Sequence, residues 1–241
     1  MGHRRVMVLA LLGAGLPSLG LAGSPALRFA SDGNDESGLA PIGRAVLRRA
    51  FERLNRNLQF DHLPLRRSLP MTVQGHLDGE ALRIRELATT HPELLLVPVP
   101  IVMVQVLGYA RVQGPQPQDD LSLKALRVGF PRGVVLLERW LADAPRKVEA
   151  THRAELLRLL QRDVIDVALL TSVAGLPDLT PEPGSGMVRL PNPFHVLPLF
   201  ALLHQRHREL LPALTATLRD MEDSGESARL RNAAWGSTLM P

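Results

Sequence analysis

An order of elements that occurs twice constrains the fold of this chain more than any other feature. Ala26 to Ala30 is a short apolar run that reads as a strand, and Ser31 to Pro41 is a polar loop. From Ile42 to Leu54 the apolar residues Val46, Leu47, Phe51 and Leu54 fall at helical spacing. Leu58 to Phe60 reads as a second strand. Leu65 to Gln74 reads as a short helix that Pro70 weakens or shortens, with Gly75 as a left-handed cap. Leu77 to Leu82 is a third strand. Leu94 to Tyr109 is then apolar, extended and too long for one ordinary strand. It is expected to leave one lobe and enter another.

Beyond a Pro- and Gln-rich loop, Gln113 to Asp120, the order returns. Strands at Leu126–Phe130, Val148–Thr151 and Ile165–Leu170 alternate with helices at Val134–Leu141 and Ala154–Gln161. Such alternation is the mark of a parallel sheet, here twice over. Both halves also carry an acid as the third strand begins, in Gly75-His76-Leu77-Asp78-Gly79 and in Asp163-Val164-Ile165-Asp166-Val167. Two more strands, Met187–Leu190 and Val196–Leu203, follow a Pro- and Gly-rich loop, and helices His207–Met221 and Ser227–Trp235 end the chain. The expectation is an α/β fold of two related lobes. Residues 23–105 begin lobe 1, residues 106–199 form lobe 2, and residues 200–241 return to lobe 1. The crossings fall near Val102–Tyr109 and Val196–Leu203, and one continuous sheet is not expected.

The N-terminus sets the compartment. Arg4 and Arg5 precede an apolar run, Val6 to Ala22, that ends in small residues. This reads as a signal peptide, residues 1–22, cut after Ala22. The chain has no cysteine, so neither a lipid-anchored cysteine nor a disulfide is expected. The net charge of +4 includes the two signal arginines, leaving about +2, and the basic residues are scattered. Nucleic acid is therefore not an expected partner. Past the signal the longest apolar stretch, Leu94 to Leu107, holds Pro98 and Pro100, and nothing there is expected to span a bilayer.

Several phrases resemble the extracellular solute-binding proteins of family 3, the type that serves polar amino acid transporters. They are Arg67-Ser68-Leu69 with Gly75 to Glu80, Pro92 to Leu95 running into Val97 to Ile101, Leu121 to Gly133, Leu160 to Leu170, and Leu211-Pro212 with Met221 to Gly225. Their order and spacing carry the resemblance across nearly the whole mature chain. It implies a two-lobed periplasmic-binding-protein fold of type II, with two crossing hinge segments and a ligand cleft between the lobes. It also implies residence in the periplasm. The binding signature departs from the family. Thr171 stands where members that bind amino acids carry an acid for the ligand's ammonium. Ala88-Thr89-Thr90-His91 holds no arginine for its carboxylate, and Val134 follows Gly133 where a threonine is common.

Candidate ligand residues come from strand ends, which face the cleft in folds of this kind. Arg83 and Arg85 follow the third strand, and alternation puts both on one side. A guanidinium there can grip a carboxylate by two parallel bonds, with salt bridges to Glu80 or Glu86 as the competing reading. Arg67 sits near a helix start facing the same lobe. Phe130-Pro131-Arg132-Gly133 ends a strand and opens a helix, where free N–H groups at Arg132 and Gly133 favour an anion. Glu80 and Thr171 complete the set. Asp78 and Asp166 are assigned to local hydrogen bonds at strand starts. His204 and His207 stand three apart with no third ligand nearby, so neither a metal nor a cofactor is expected.

Three functions compete. The first is a monomeric binding protein that captures a small anionic or amino acid-like solute for a transporter permease or a sensor kinase. The second is an enzyme on the same fold, dehydratase-like, for which Glu80 is the one obvious acid–base group and no partner is visible. The third is a module that has lost its ligand and serves structure or signalling. The first is favoured, and no catalytic residue is assigned.

Overall fold

The computed structural model describes residues 25–33, 38–178 and 181–239. The expected signal peptide, residues 1–22, lies outside them. The first half folds as β1 (Leu27–Asp32), α1 (Leu39–Arg53), β2 (Leu58–Leu63), α2 (Leu65–Val73) and β3 (Gly79–Arg83). In α1, Ile42, Val46, Leu47, Ala50 and Phe51 form one buried face, as their spacing requires. Phe51 meets Phe29 of β1 edge-to-face at 5.4 Å between ring centres. β1 pairs in parallel with both β2 and β3. Pro70, expected to weaken or shorten α2, does not end it. α2 runs through it to Val73, and Gly75 follows at φ +76°.

After a short helix, α3 (Glu86–Thr90), comes the 18-residue strand β4 (Leu94–Arg111). The second half repeats the plan after another short helix, α4 (Asp120–Lys124). It comprises β5 (Val128–Pro131), α5 (Val135–Trp140), β6 (Lys147–Ala150), α6 (Arg153–Gln161) and β7 (Val167–Val173), with β5 parallel to β6 and β7. β8 (Met187–Arg189) pairs with β4, and β9 (His195–His204) leads back. A 3-10 turn over Gln205–Leu210 precedes α7 (Leu211–Asp223) and α8 (Glu226–Leu239). The sequence missed the two five-residue helices, α3 and α4, and merged the 3-10 turn with α7. Turns that short carry almost no periodicity to read.

The strands run β2-β1-β3-β9-β4-β7-β5-β6. Against expectation the hydrogen-bonded ladder is continuous through the whole molecule. The cause is that β4 and β9 are long enough to pair in both halves. β9 lies antiparallel to β3 at its C-terminal end, β4 lies antiparallel to β7 at its C-terminal end, and the two pair with each other from Leu94 to Val106. The two-lobed arrangement resides in the cores. One packs α1 and α7 on the first half, around Phe29, Val46, Phe51, Val97, Leu203 and Leu214. Two others cover the faces of the second half, one around Val106, Phe130, Leu137 and Val167, the other around Tyr109, Leu156, Leu160 and Ile165. A small cluster of Ile42, Val102, Val173 and Trp235 joins them where the long strands cross. There the β4–β9 register slips on both sides of Pro100, near residues that cannot donate to a ladder.

The internal repeat extends to hydrogen bonds. The Asp78 carboxylate accepts from the Arg28 N–H at 2.7 Å, and its own N–H returns to the Arg28 carbonyl at 2.7 Å. Asp166 does the same with Arg127, at 2.9 Å and 2.8 Å. Both aspartates therefore tie the start of the third strand to the start of the first, as local hydrogen bonds.

Candidate ligand-binding cleft

The carboxyl ends of β1 and β3 open beside the crossing strands, and a pocket of about 80 Å³ lies there. Ala30, Ser31 and Asp32 enter it from β1, and Glu80, Ala81 and Leu82 from β3. Leu39 and Ala40 come from the start of α1, Leu65 from the start of α2, and Leu199 from β9. Most of the lining is aliphatic. A second hollow of about 80 Å³ lies on lobe 2 near Pro117 and Phe194. Its acids are engaged, Asp119 by Ser122 of its own turn and Asp120 by the Trp140 indole at 2.8 Å.

Arg83 stands at the end of β3 as expected, but it is buried, 6 % exposed, and faces Glu80. Its Nε donates to Glu80 Oε2 at 2.8 Å. Its Nη2 donates to the same oxygen at 2.6 Å, to Ser68 Oγ at 2.6 Å and to the Leu65 carbonyl at 3.0 Å. Glu80 also accepts from Thr72 Oγ1 at 2.6 Å and from Ser68 Oγ at 3.1 Å. Regular alternation would put residues 80 and 83 on opposite faces of the strand. The register shows why it does not. Glu80 pairs with Leu202 and Arg83 with Phe200, so three steps on β3 oppose two on β9, and this bulge turns both side chains to the α2 face. The same bulge removes Arg85 from the strand. Arg85 precedes α3 and lies over the Phe200 ring at 4.9 Å.

The lobe 2 wall also differs from expectation. Gly133 takes φ +83°, a conformation glycine permits, and its N–H donates to Glu138 Oε1 at 3.1 Å. The other oxygen of Glu138 meets Arg66 of α2 at 2.5 Å, so one carboxylate both fills the N–H and bridges the two lobes. α5 is only six residues long and offers little dipole. Arg132 is exposed and loosely paired with Glu149 at 3.5 Å. Arg67 is exposed on α2. Thr171 is buried in β7 opposite Val106. The next residue, Ser172, donates to Asp178 at 2.5 Å, and Gln105 donates to the same carboxylate at 3.0 Å. The structure thus unites Arg83 with Glu80, Ser68 and Thr72 in one network and, separately, Gly133 with Glu138 and Arg66; Ser68, Thr72, Arg66 and Glu138 were not suggested by the sequence. Arg67, Arg132 and Thr171 join neither network.

Charge elsewhere is held locally. Burial would raise the Asp78 carboxyl, but hydrogen bonds from the Arg28 backbone, Arg206 and His207 hold it below the usual aspartate value. The side-chain bond from Arg127 lowers Asp166 in the same way. Burial, then the charge of Arg206, pushes His204 below an ordinary histidine. His207 binds Asp78, and no group of three metal-ligating side chains exists among the described residues. No helix among those residues is long and apolar enough to cross a membrane.

No family model matches the sequence, and no curated protein matches it. Solved structures do. An ancestral arginine-binding protein bound to arginine superimposes with a TM-score of 0.66 at 14 % identity, over 85 % of this chain and 96 % of the other. An amino acid ABC transporter substrate-binding protein from Streptococcus pneumoniae, bound to L-arginine, gives 0.63 at 13 % identity, over 90 % and 97 %. A histidine kinase sensor domain with similarity to periplasmic binding proteins gives 0.64 at 16 % identity, over 89 % and 96 %. These three are named for binding and sensing, not for catalysis. At such identities the likeness establishes the architecture: this chain has the two-lobed, type II fold of the periplasmic binding proteins.

Proposed function

We propose that this chain is an exported solute-binding protein that captures a small molecule between its lobes, for a membrane transporter or a sensor. The observation that carries the reading is the pocket at the ends of β1 and β3, set beside the two strands that alone connect the lobes through their pairing. A solute that touches both lobes favours whichever lobe arrangement gives it more contacts, and only that difference drives closure. The basic and apolar start of the sequence supports export to the periplasm. We place the lobe boundaries near residues 105 and 200, a reading that the separate cores support.

Glu80 does not support an enzymatic reading, because its carboxylate already accepts four hydrogen bonds. A ligand-less module is the second reading. It is favoured by Glu80 and Glu138, which take up Arg83 and the Gly133 N–H, the groups that a ligand's anion would use. A thermal-shift screen of amino acids, amides, organic acids and short peptides, followed by small-angle scattering on the hits, separates the two. A rise in melting temperature with a fall in radius of gyration is expected. A screen with no stabilising compound leaves the second reading in possession.

A further inference from the structure

We propose that the ion pair between Arg66 and Glu138 is a salt-sensitive latch that holds the two lobes closed on each other when no solute is bound. The inference goes beyond solute capture and rests on it in one respect, that the lobes can move. The pair joins α2 of lobe 1 to α5 of lobe 2, with Arg66 Nη2 2.5 Å from Glu138 Oε2. Pairs such as Arg28–Asp61, Arg53–Glu226 and Arg206–Asp78 lie within lobe 1, and Lys124–Asp143 and Arg127–Asp166 lie within lobe 2. α2 packs on β1 and β3, and α5 follows β5, so the bridge reaches across the lobes outside the two crossing strands.

The two ends of the latch are built differently. Glu138 is 18 % exposed and is held by its own lobe. Gly133, at φ +83°, turns the chain so that the carboxylate five residues on accepts its N–H at 3.1 Å. That bond lies inside lobe 2 and does not depend on how the lobes sit. Arg66 is 69 % exposed even when paired, so water solvates its guanidinium as soon as the bridge opens. Release therefore strands no buried charge. An exposed pair of this kind shifts an equilibrium by about 1.5- to 5-fold, enough to bias two lobe arrangements of similar energy and too little to lock one. The tie where the long strands cross is of the opposite kind. Trp235 of α8 is 4 % exposed, packs with Val102 and Val173, and donates its indole N–H to the Pro177 carbonyl at 2.9 Å. Dry and close to the register slips around Pro100, it serves as a pivot that persists as the lobes turn, whereas the wet pair between the helices is the contact that breaks. Salt screens the wet pair and spares the dry one.

The test uses the mature chain, refolded from urea to strip any solute, with two spin labels. The sequence has no cysteine, so Gln74→Cys and Ala142→Cys label it without background. Both positions are exposed and lie just past the ends of α2 and α5, the helices that the pair joins. Double electron–electron resonance reads the distance between the labels at about 10 mM and about 1 M salt, where screening lengths are about 30 Å and 3 Å. The ratio of short to long distances should fall about 1.5- to 5-fold at high salt. Arg66→Ala removes the lobe 1 end and leaves the Gly133 N–H satisfied, while Glu138→Gln removes the charge and keeps an acceptor for that N–H. Each variant, its fold checked by circular dichroism, should give the high-salt ratio at both salt levels. The double variant should open no further than either single one, because both remove the same contact. A ratio that neither salt nor the variants move overturns the latch, as does a double variant that opens by the sum of the two. Solute capture is decided separately, by the thermal screen.

Discussion

Removing one member of the Glu80–Arg83 pair should cost far more than removing both. In Glu80→Ala, Arg83 keeps the Leu65 carbonyl and Ser68 Oγ but loses the carboxylate that takes its Nε and Nη2 bonds at 2.8 Å and 2.6 Å. The guanidinium is 6 % exposed, so water cannot replace that charge without local opening. A buried charge left alone in this way costs about 3–5 kcal/mol, or roughly 6–20 °C in Tm for a chain of this size. In Glu80→Leu, Arg83→Met no charge is left. Ser68 and Thr72 fall back on hydrogen bonds they already make within α2, to the Leu65 carbonyl at 3.3 Å and the Ser68 carbonyl at 3.1 Å. The double variant should lie within about 1 kcal/mol of the parent, or above it. Urea denaturation followed by circular dichroism measures both. The reasoning is refuted if the double variant is as unstable as Glu80→Ala, or if Glu80→Ala costs less than about 1 kcal/mol.

The single tyrosine allows a direct spectroscopic check. Burial first, and the nearby Asp178 charge second, push Tyr109 up to about 12, so absorbance near 295 nm should show little tyrosinate in the folded protein around pH 10–11. The unfolded chain releases that proton near pH 10. Stability should therefore fall from about pH 10 up to 12, and a folded-state midpoint near 10 would contradict the burial. Asp78 and Asp166 are both lowered, so the stability they supply is present above the unfolded aspartate value of about 3.9 and is lost as pH falls through their folded values. Asp78→Asn and Asp166→Asn should each flatten the acid limb of a stability–pH curve and cost about 1–3 kcal/mol at neutral pH. An unaltered acid limb in both would remove the aspartate ties from the account. Gly79→Ala would place a methyl group 2.5 Å from the Leu202 carbonyl oxygen and 2.5 Å from the Phe29 ring, a clash with backbone that should cost roughly 1–3 kcal/mol in denaturant titration.

The order of strands and helices was legible because both periodicities are strong where a face is buried. Continuous apolar runs such as Val167 to Leu170 and the helical spacing of Val46, Leu47 and Phe51 leave little choice. The unbroken ladder was not legible. Sequence shows that a segment is long, not with whom each end pairs. The site was legible only in position. Arg83 lies at the end of the third strand, as read, yet its partner was decided by a bulge that depends on the register of β9, more than a hundred residues away. Glu138 escaped notice because it lies within a helix, and only the turn at Gly133 brings its carboxylate back to the preceding N–H.

The place of β9 has a consequence for how the chain is made. In the sheet order it sits between β3 and β4, so lobe 1 has a gap at its centre until the residues up to His204 exist. A ribosome adds residues at about 5–20 per second, so the roughly ninety residues between the end of β4 and the end of β9 take on the order of 5–20 s. Throughout that interval the unpaired edges of β3 and β4 stand open, and β4 carries the apolar run from Leu94 to Leu107. Lobe 2, whose strands β5, β6 and β7 and their partner β4 are all complete by Val173, can close first. The strands of the second lobe's sheet are thus all present before the sheet of the first can be completed.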